Sequence, residues 1–156
     1  MQSTGVGSKK VLITGWNKGI GYGILKNLAK RPEKHTFIMA VRNVELGKKA
    51  LEELSKEIPD IKSRTDIVEL DITKTDSIDK AIKHIESKNL NFDCLFNNAG
   101  TDSKSDKFNI DVVNATLKTN FYGTIEVTEK FLPLIKNNGK VIITGSILGH
   151  SSMVKA

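Results

Sequence analysis

Short apolar runs alternate with longer amphipathic stretches along most of the chain. Five runs have the length and composition of buried strands. They occupy residues 9–15 (KKVLITG), 35–41 (HTFIMAV), 66–71 (DIVELD), 92–96 (FDCLF) and 139–146 (GKVIITGS). Apolar runs that lack strict alternation of apolar and polar positions are typical of parallel sheets buried on both faces. The pattern therefore predicts a parallel sheet of five strands.

Apolar residues at helical spacing fill the gaps between the first three strands. The first predicted helix begins at Gly19 and ends at Pro32, which cannot continue a helix. The second is N-capped by Asn43 and ends at Pro59. The residues that share one face are Ile20, Ile24, Leu25 and Leu28 in the first helix, and Gly47, Ala50, Leu51, Leu54 and Ile58 in the second. Both helices are predicted to turn that face toward the sheet.

Two further helices are predicted in the second half of the chain. One follows a capping box formed by Thr73 and Asp76 and runs to about Ser87. The other is longer, from residue 110 to 136, with Pro133 distorting its last turn. The residues along one side of each helix are Ile78, Ala81, Ile82 and Ile85 in the first, and Val113, Leu117, Phe121, Ile125, Thr128 and Leu132 in the second.

The regular alternation of strand and helix predicts an α/β fold. Short connections between elements favour a doubly wound, Rossmann-type parallel sheet with helices on both faces. Right-handed crossovers then favour the strand order 3-2-1-4-5. We expect one dinucleotide-binding domain over residues 9–156, incomplete at its C-terminal side, and a flexible N-terminal arm over residues 1–8.

Composition and charge narrow the class of protein. The 156 residues carry a net charge of +6, but the basic residues are scattered and no aromatic residues interleave with them, so nucleic-acid binding is not expected. No apolar run approaches the ~20 residues of a membrane span. The single cysteine, Cys94, is expected to be a buried strand residue in a reducing, cytoplasmic setting. The three histidines lack metal-ligand spacing.

Three glycines lie where the first strand meets the first helix, in ITGWNKGIG at residues 13–21. In a doubly wound sheet, ligands bind at this edge, and a helix N-terminus there suits a phosphate group. Gly15 would form the turn, Gly19 would let a pyrophosphate approach the backbone, and Gly21 would let helix and strand pack closely. The alternative is a tight connection without a ligand.

The end of the second strand predicts which dinucleotide binds. NAD sites commonly place an acidic residue there, but this chain has Val41 and Arg42. A guanidinium pairs well with a 2′-phosphate, and Lys18 in the glycine turn could add a second charge. We therefore expect NADP rather than NAD. The alternative is that Arg42 and Lys18 are solvated surface charges, and the nearby Glu45 could pair with Arg42 instead.

Several motifs in sequence order resemble one family, the short-chain dehydrogenases/reductases. The pattern T-G-x-x-x-G-I-G occupies residues 14–21, and N-N-A-G occupies residues 97–100. Asn120 matches the family's helix asparagine and Ser146 its serine after the fifth strand. Within the family, the chain is most similar to the NADPH-dependent carbonyl reductases, through TGWNKGIGYGI, LKTNFYGT and LPLIKNNGKVI.

The resemblance implies that NADPH delivers a hydride to a carbonyl carbon. Ser146 would hydrogen-bond the carbonyl oxygen, and Asn120 would hold a relay water through a distorted helix. Asn98 would lie near the ribose and Asp71 near the adenine. The full set of cofactor-binding residues implied is Gly15, Asn17, Lys18, Gly19, Ile20, Gly21, Arg42, Asp71, Asn98, Ala99 and Gly100. A small carbonyl compound would be the substrate.

The chain departs from the family in one respect. The family has a Tyr-x-x-x-Lys pair after the serine, and here the only tyrosines are Tyr22 and Tyr122, neither followed by lysine at that spacing. We therefore expect these residues alone to have little or no reductase activity. We also expect the fifth strand and the long helix to be left exposed, which favours self-association.

The sequence leaves other interpretations of the protein's function open. The first is a non-catalytic module that binds NADP or a protein partner without the proton donor. A serine hydrolase using Ser146 and His150 would need G-x-S-x-G, which is absent around Ser146. An extended, epimerase-type relative shares the first glycine motif but not N-N-A-G. Singly, Ser146 could be a turn serine, Asn120 a polar helix residue, and Asn97 and Asn98 turn formers.

Overall fold

Five parallel strands form one sheet in the order β3-β2-β1-β4-β5. The computed structural model describes residues 7–101 and 109–146. The strands are β1 (Lys10–Thr14), β2 (Thr36–Val41), β3 (Thr65–Glu69), β4 (Phe92–Asn97) and β5 (Ile135–Ile143). Each pair of neighbouring strands is parallel. The predicted doubly wound order is confirmed, and β1 lies at the centre, flanked by β2 and β4.

Helices cover both faces of the sheet. They are α1 (Gly19–Ala29), α2 (Val44–Glu57), α3 (Thr75–Ser87), α4 (Ile110–Leu117) and α5 (Thr124–Phe131). A π-helical segment (Lys118–Gly123) joins α4 to α5, and short 3-10 turns span Lys62–Arg64 and Leu132–Leu134. Within the described ranges, no helix has both the length and the apolar character needed to cross a bilayer.

Two hydrophobic cores lie on opposite sides of the sheet. Ile13 and Phe37 point toward α1 and α2, and their core includes Trp16, Leu25 and Leu54. The alternate strand residues point the other way, toward α3 and α5, into a core that contains Leu12, Ile38, Ile78, Val127 and Phe131. Because successive strand side chains face opposite sides, the continuous apolar runs of β1 and β2 supply both cores.

The boundaries around β5 differ from those predicted. The long helix was expected to reach residue 136, but α5 ends at Phe131 and a 3-10 turn containing Pro133 follows. The last strand then begins at Ile135 and ends at Ile143, rather than spanning 139–146. Its pairing with β4 is irregular between Phe92 and Cys94. Pro133 therefore ends the α-helix before its own position, because its ring cannot continue the helical hydrogen bonding.

The predicted capping box at the start of α3 is wrong. The helix begins at Thr75 with Lys74 as its N-cap residue, and no side chain caps it. Thr73 instead donates its hydroxyl to Asp71 Oδ1 at 2.7 Å. Ser77 accepts a hydrogen bond from the Asp71 main-chain N–H at 2.9 Å. The Thr73 hydroxyl, which was predicted to cap α3, therefore stabilises the loop after β3 by its hydrogen bond to Asp71.

Two predicted burials are also corrected. Ile20 was placed on the apolar face of α1, but the residue is 65% exposed, in the first turn of the helix. Cys94 is half-buried rather than fully buried, and burial raises the pKa of its thiol.

On the long helical stretch, the buried positions are Gly123, Val127 and Phe131, whereas Leu117, Phe121, Ile125 and Leu132 are exposed.

The side chain of Arg64, which is 10% exposed, connects α1, β2 and the loop before β3 and gives the fold an acid-sensitive contact. Arg64 donates hydrogen bonds to the carbonyls of Ala29 and His35 and to Asp60 Oδ1. Lys34 donates to the other oxygen of Asp60 at 2.7 Å. Hydrogen bonds from Lys34 and then Arg64 hold the pKa of Asp60 at about 2, below its ordinary value of 3.8.

Replacement of Asp60 by asparagine should therefore make stability less sensitive to acid. Because the folded-state pKa is depressed, the carboxylate stabilises the fold above its unfolded pKa of about 4, and this contribution is lost as pH falls toward about 2. Urea unfolding midpoints of wild type and Asp60→Asn, measured at neutral pH and across that acid range, should converge as pH falls. Glu69→Gln, which removes an exposed carboxylate without an ion pair in the described residues, is the control. A constant difference across the range would contradict the assignment.

A candidate dinucleotide site at the carboxyl ends of the strands

The turn between β1 and α1 has the backbone that its glycines predict. Gly15 has φ of +63°, and a Cβ there would lie 2.8 Å from Ala99 Cα. A Cβ on Gly21 would lie 2.8 Å from the Gly15 carbonyl oxygen and 2.9 Å from Trp16 Cα, so helix and strand meet closely there. Gly19 has φ of +59° with open space beside it. The turn is closely packed at Gly15 and Gly21 and open at Gly19, as a phosphate-binding turn requires.

The N-terminus of α1 is left uncapped. Its N-cap residue, Lys18, makes no side-chain cap hydrogen bond, and no acidic residue lies in the first turn. By contrast, Asn43 caps α2 by accepting from Leu46 N at 3.0 Å, and Asn109 caps α4 by accepting from Val112 N at 2.9 Å. The first-turn N–H groups of a helix have no intrahelical acceptor. Those of α1 can therefore bind an anion that approaches over Gly19.

Thr14, the first residue of the T-G-x-x-x-G-I-G pattern, connects the glycine turn to the end of β4, a role that the sequence did not predict. Its hydroxyl oxygen is buried and accepts hydrogen bonds from the main-chain N–H of Asn98 at 3.0 Å and of Ala99 at 2.9 Å. The side-chain amide of Asn98 donates in return to the carbonyls of Thr14 and Gly15, at 3.2 and 3.1 Å. The sequence signals were its place at the start of that pattern and its position at the end of the central strand.

Asn97 and Thr144 extend this network to the neighbouring elements. Asn97 is buried and donates its side-chain N–H to Thr128 Oγ1 at 2.8 Å, which connects β4 to α5. The main-chain N–H of Thr144 donates to the Asn97 carbonyl at 2.9 Å, and its hydroxyl lies 3.3 Å from Asn98 Oδ1. The ends of β1, β4 and β5 are thereby held together. The side-chain amide of Asn98 stabilises the glycine turn, whereas the alternative interpretation treated Asn98 only as a residue that favours turns.

Arg42 lies just past the end of β2 and is exposed. Among the described residues it forms no ion pair with a carboxylate, and the same holds for Lys18. Glu45, the nearby acid that could have neutralised Arg42, pairs instead with Lys48 at 2.9 Å. Two cations therefore flank the uncapped helix end, one in the glycine turn and one at the next strand.

Asp71 follows β3 at the same edge of the sheet. Its Oδ1 accepts hydrogen bonds from Thr73 N at 3.0 Å and Thr73 Oγ1 at 2.7 Å, and its side chain is only 14% exposed. Burial alone raises the pKa of Asp71, but the Thr73 hydrogen bonds and the charges of Lys74 and Arg42 bring it below its ordinary value. Asp71 is thus an anion held in one orientation, within electrostatic reach of Arg42.

Asn120 lies in the π-helical segment between α4 and α5, so the helix is distorted where the resemblance implied. Its Oδ1 accepts from Thr101 N and its Nδ2 donates to the Thr101 carbonyl, both at 2.8 Å. The side chain therefore fixes the main chain just after Gly100. A Cβ on Gly123, which ends the segment, would lie 2.5 Å from the Ile72 carbonyl oxygen, so the distorted helix also packs closely on the chain after β3.

Ser146 is the third residue after β5, beyond Thr144 and Gly145. The carboxyl ends of parallel strands share one edge of a sheet, so Ser146 follows the strand next to β4 at the edge that carries the glycine turn. The two tyrosines lie on helical segments. Tyr22 is partly buried against the core of α1 and α2. Tyr122 is 62% exposed and meets Phe121 edge to face, with ring centroids 5.1 Å apart.

A cavity of about 260 Å³ lies at the opposite edge of the sheet, lined by residues at the amino ends of β1, β2 and β3, among them Lys10, Ile38 and Asp66. None of the predicted site residues lines it. In the described ranges, no three metal-ligating side chains come together. His150, on which the hydrolase reading depended, lies outside the described residues. The glycine turn therefore remains the candidate site.

The family model of the short chain dehydrogenases matches residues 9–156. The chain therefore belongs to the short-chain dehydrogenase family.

Particular relatives define the branch and the extent of the match. A short-chain dehydrogenase/reductase of Aspergillus fumigatus is 32% identical over 154 residues, which cover 94% of this chain and 58% of the relative. Carbonyl reductase (NADPH) 1 of Mus musculus is 36% identical over 141 residues, which cover 88% of this chain and 48% of the relative. The chain thus resembles carbonyl reductases and spans about half the length of the curated relatives it matches.

Solved structures give the same architecture. Menthone neomenthol reductase from Mentha piperita superposes with a TM-score of 0.80 at 24% identity, over 92% of this chain and 62% of that one. Serine dehydrogenase from Escherichia coli has a TM-score of 0.71 at 27% identity, over 90% of this chain and 63% of that one. The predicted Rossmann-type sheet with helices on both faces is confirmed.

Proposed function

We propose that this chain is the cofactor-binding part of an NADPH-dependent short-chain reductase that converts a carbonyl compound to an alcohol. One observation carries the proposal: the uncapped N-terminus of α1 is flanked by Lys18 and Arg42, which form no ion pair in the described residues. An extra phosphate on the adenosine ribose provides the anion that such an arginine lacks. The similarity to a relative named carbonyl reductase (NADPH) supports the same cofactor.

The residues at the edge of the sheet divide between the parts of the dinucleotide. The pyrophosphate would rest on the turn of Gly15, Asn17, Lys18, Gly19, Ile20 and Gly21, and Arg42 would bind the 2′-phosphate. Asp71 would line the adenine site, with Ala99 and Gly100 beside the nicotinamide ribose. Because the amide of Asn98 is committed to Thr14 and Gly15, a ribose contact of Asn98 would use its main-chain carbonyl.

The bound cofactor would supply the hydride, and the chain's own residues would position the carbonyl. Ser146 would donate a hydrogen bond to the carbonyl oxygen. Asn120 would hold a water through its main chain, since both polar ends of its side chain are bonded to Thr101. Neither Tyr22 nor Tyr122 matches the family's proton donor, because neither is followed by a lysine at the family spacing. We therefore propose that the chain binds cofactor but turns over little or no substrate by itself.

The 156-residue chain should not oxidise NADPH in the presence of a reactive carbonyl compound at a rate above the protein-free reaction. The reason is the missing proton donor, since a carbonyl oxygen that receives no proton accepts hydride poorly. The absorbance of NADPH measures the rate, and Ser146→Ala is run in parallel. Turnover that is abolished by Ser146→Ala would contradict the prediction.

A second candidate function is a non-catalytic NADP-binding module that serves a protein partner. The same lack of a placed tyrosine favours it. The two functions are separated by the natural reading frame. If the frame continues into Tyr-x-x-x-Lys and the longer protein reduces carbonyl compounds in a panel, the reductase is correct. If the frame ends at Ala156 and NADP still binds, the module is correct.

We propose a cytoplasmic setting and no nucleic-acid or membrane partner. Cys94 is a free thiol, as expected in a reducing compartment. Several basic residues are paired locally, for example Lys26 and Lys30 with Glu57 and Lys34 with Asp60, which reduces the positive charge they present to an anionic partner.

We also propose self-association through the long helix and the adjoining sheet edge. The exposed apolar residues of this surface are Ile110, Leu117, Phe121, Ile125 and Leu132 on the helical stretch and Val141, Ile142 and Ile143 on β5. In the described residues β5 pairs with β4 alone, so its other edge is open. Exposed apolar side chains and an open strand edge both favour contact between protein surfaces.

The self-association should depend on the middle of that helical surface. Phe121→Lys combined with Ile125→Lys introduces two charges at exposed positions, so the fold should tolerate it while association is lost. Sedimentation velocity over a range of concentrations should show a concentration-dependent larger species for wild type and a monomer for the double variant. A wild-type chain that stays monomeric at every concentration contradicts the proposal.

A further inference from the structure

One large side chain lies directly beneath the glycine turn. Trp16 follows Gly15 and is fully buried, with 0% of its surface exposed. It is the only tryptophan in the chain. Its Cα is one of the atoms closest to the position a Gly21 Cβ would take, at 2.9 Å. The main chain at Trp16 is therefore in close contact with the first turn of α1 at Gly21, although the sequence motif treats the position of Trp16 as variable.

The same ring reaches the helix that follows Arg42. A Cβ on Gly47, in the first turns of α2, would lie 3.6 Å from Trp16 Cζ2 and 2.9 Å from Val41 Cγ2. Gly47 also donates its main-chain N–H to the Asn43 carbonyl at 3.1 Å. Trp16 thus packs against the segment that begins with the last residue of β2 and carries Arg42. One rigid ring connects the two places where phosphate groups would bind.

Hydrogen bonding does not explain the tryptophan. Its indole Nε1 is buried and has no hydrogen-bond partner in the described part of the chain. A buried N–H without an acceptor is unfavourable. The volume and flat shape of the ring are therefore what this position uses, filling the space between the turn, Val41 and α2 at the density of a protein core.

We propose that Trp16 is a positioning residue for cofactor choice: by bracing the glycine turn against the start of α2, it sets the distance between the pyrophosphate site and Arg42. The inference rests on the proposed function, since it assumes that both phosphate sites are used. Arg42 is exposed and forms no ion pair in the described ranges that would hold it at a fixed distance from the turn. Its segment is located by Val41, Asn43 and Gly47, and the indole packs against this segment.

Two variants change the contact between the Trp16 indole and the start of α2, one at the indole and one at the helix. Trp16→Phe shortens the ring that supports α2, and it also removes the unpaired N–H, which offsets part of the cost of the smaller side chain. Gly47→Ala inserts a methyl group 2.9 Å from Val41 Cγ2 and 3.6 Å from Trp16 Cζ2, so Val41 or α2 has to shift where the indole packs. Phe37→Leu is the control, because it removes a fully buried ring of the same core at the second residue of β2, toward the other edge of the sheet.

Isothermal titration calorimetry with NADP and with NAD on each protein tests the proposal. We expect the ratio of NAD to NADP dissociation constants to fall by about fivefold or more in Trp16→Phe and in Gly47→Ala, since a displaced arginine loses a charge-assisted hydrogen bond, with the NAD constant changing less than about twofold. Phe37→Leu should keep the wild-type ratio. A purely structural role weakens both cofactors equally, so an unchanged ratio in the two variants overturns the proposal. Lack of NADP preference in wild type refutes the proposed function instead.

Discussion

Gly21→Ala should reduce NADPH affinity by about tenfold or more and also destabilise the fold. A Cβ there lies within 2.9 Å of the Gly15 carbonyl oxygen and of Trp16 Cα, and it also contacts the side-chain nitrogen of Asn98. Two of these contacts are with backbone atoms, so α1 has to move away from β1. Overpacking of this kind costs about 1–3 kcal/mol, and the displaced helix N-terminus no longer faces the phosphate site.

Gly23→Ala is the matched control for this prediction. The two glycines are two residues apart in α1, and a Cβ on Gly23 meets no heavy atom within 4 Å. Because alanine favours a helix by up to about 1 kcal/mol over glycine, this variant should be as stable as wild type or more so, with unchanged affinity. Urea unfolding and calorimetric titration measure both quantities. Equal affinity of Gly21→Ala and Gly23→Ala for NADPH would contradict the structure of the turn.

Arg42→Ala should remove the preference for NADP. A hydrogen bond to a charged partner contributes about 1.5–3 kcal/mol, so the NADP affinity should fall about tenfold to a hundredfold, while the NAD affinity changes little. Stability should not change, because the side chain is exposed and makes no ion pair among the described residues.

Arg31→Ala controls for the change in net charge. Arg31 is also exposed but follows α1, at the opposite end of that helix from the glycine turn. Calorimetric titration with both cofactors should give wild-type values for this variant. If Arg31→Ala and Arg42→Ala weaken NADP binding equally, the effect comes from overall charge, and Arg42 is not the 2′-phosphate ligand.

The architecture could be predicted because its signals are local. Continuous apolar runs such as VLIT in β1 specify strands buried on both faces, and the helical spacing between them specifies crossovers of one handedness. These two facts leave few topologies, and the favoured order 3-2-1-4-5 among them is the one observed. The glycine roles were predictable for the same reason, since a positive φ at Gly15 and a close contact at Gly21 each exclude a side chain.

The support of the site was not predictable, because it depends on contacts between residues far apart in sequence. Thr14 accepts from the main chain of Asn98 and Ala99 across 84 and 85 positions. The sequence around Thr14 does not indicate that the N–H groups of Asn98 and Ala99 will be its hydrogen-bond donors. Likewise, Thr73 fits a capping pattern equally well whether it caps α3 or binds Asp71, and only the path of the loop after β3 decides.

The exposure of the long helix was misjudged for a related reason. Spacing identifies which residues share a side, but it does not tell which side faces the sheet. The predicted side is exposed at Leu117, before the π-helical segment, and at Ile125 and Leu132 after it, whereas Val127 and Phe131 on another side are buried. A distortion of this kind has no sequence signal beyond the family resemblance around Asn120.

Titration of the unmodified chain with NADP and with NAD tests the central claim most directly. We predict binding of one NADP per chain with a dissociation constant about tenfold or more below that of NAD, since Arg42 meets a phosphate in one ligand and a hydroxyl in the other. Quenching of the fluorescence of Trp16, the single tryptophan, gives an independent signal from the turn itself. No binding of either dinucleotide, or equal affinity for both, would contradict the proposed cofactor site.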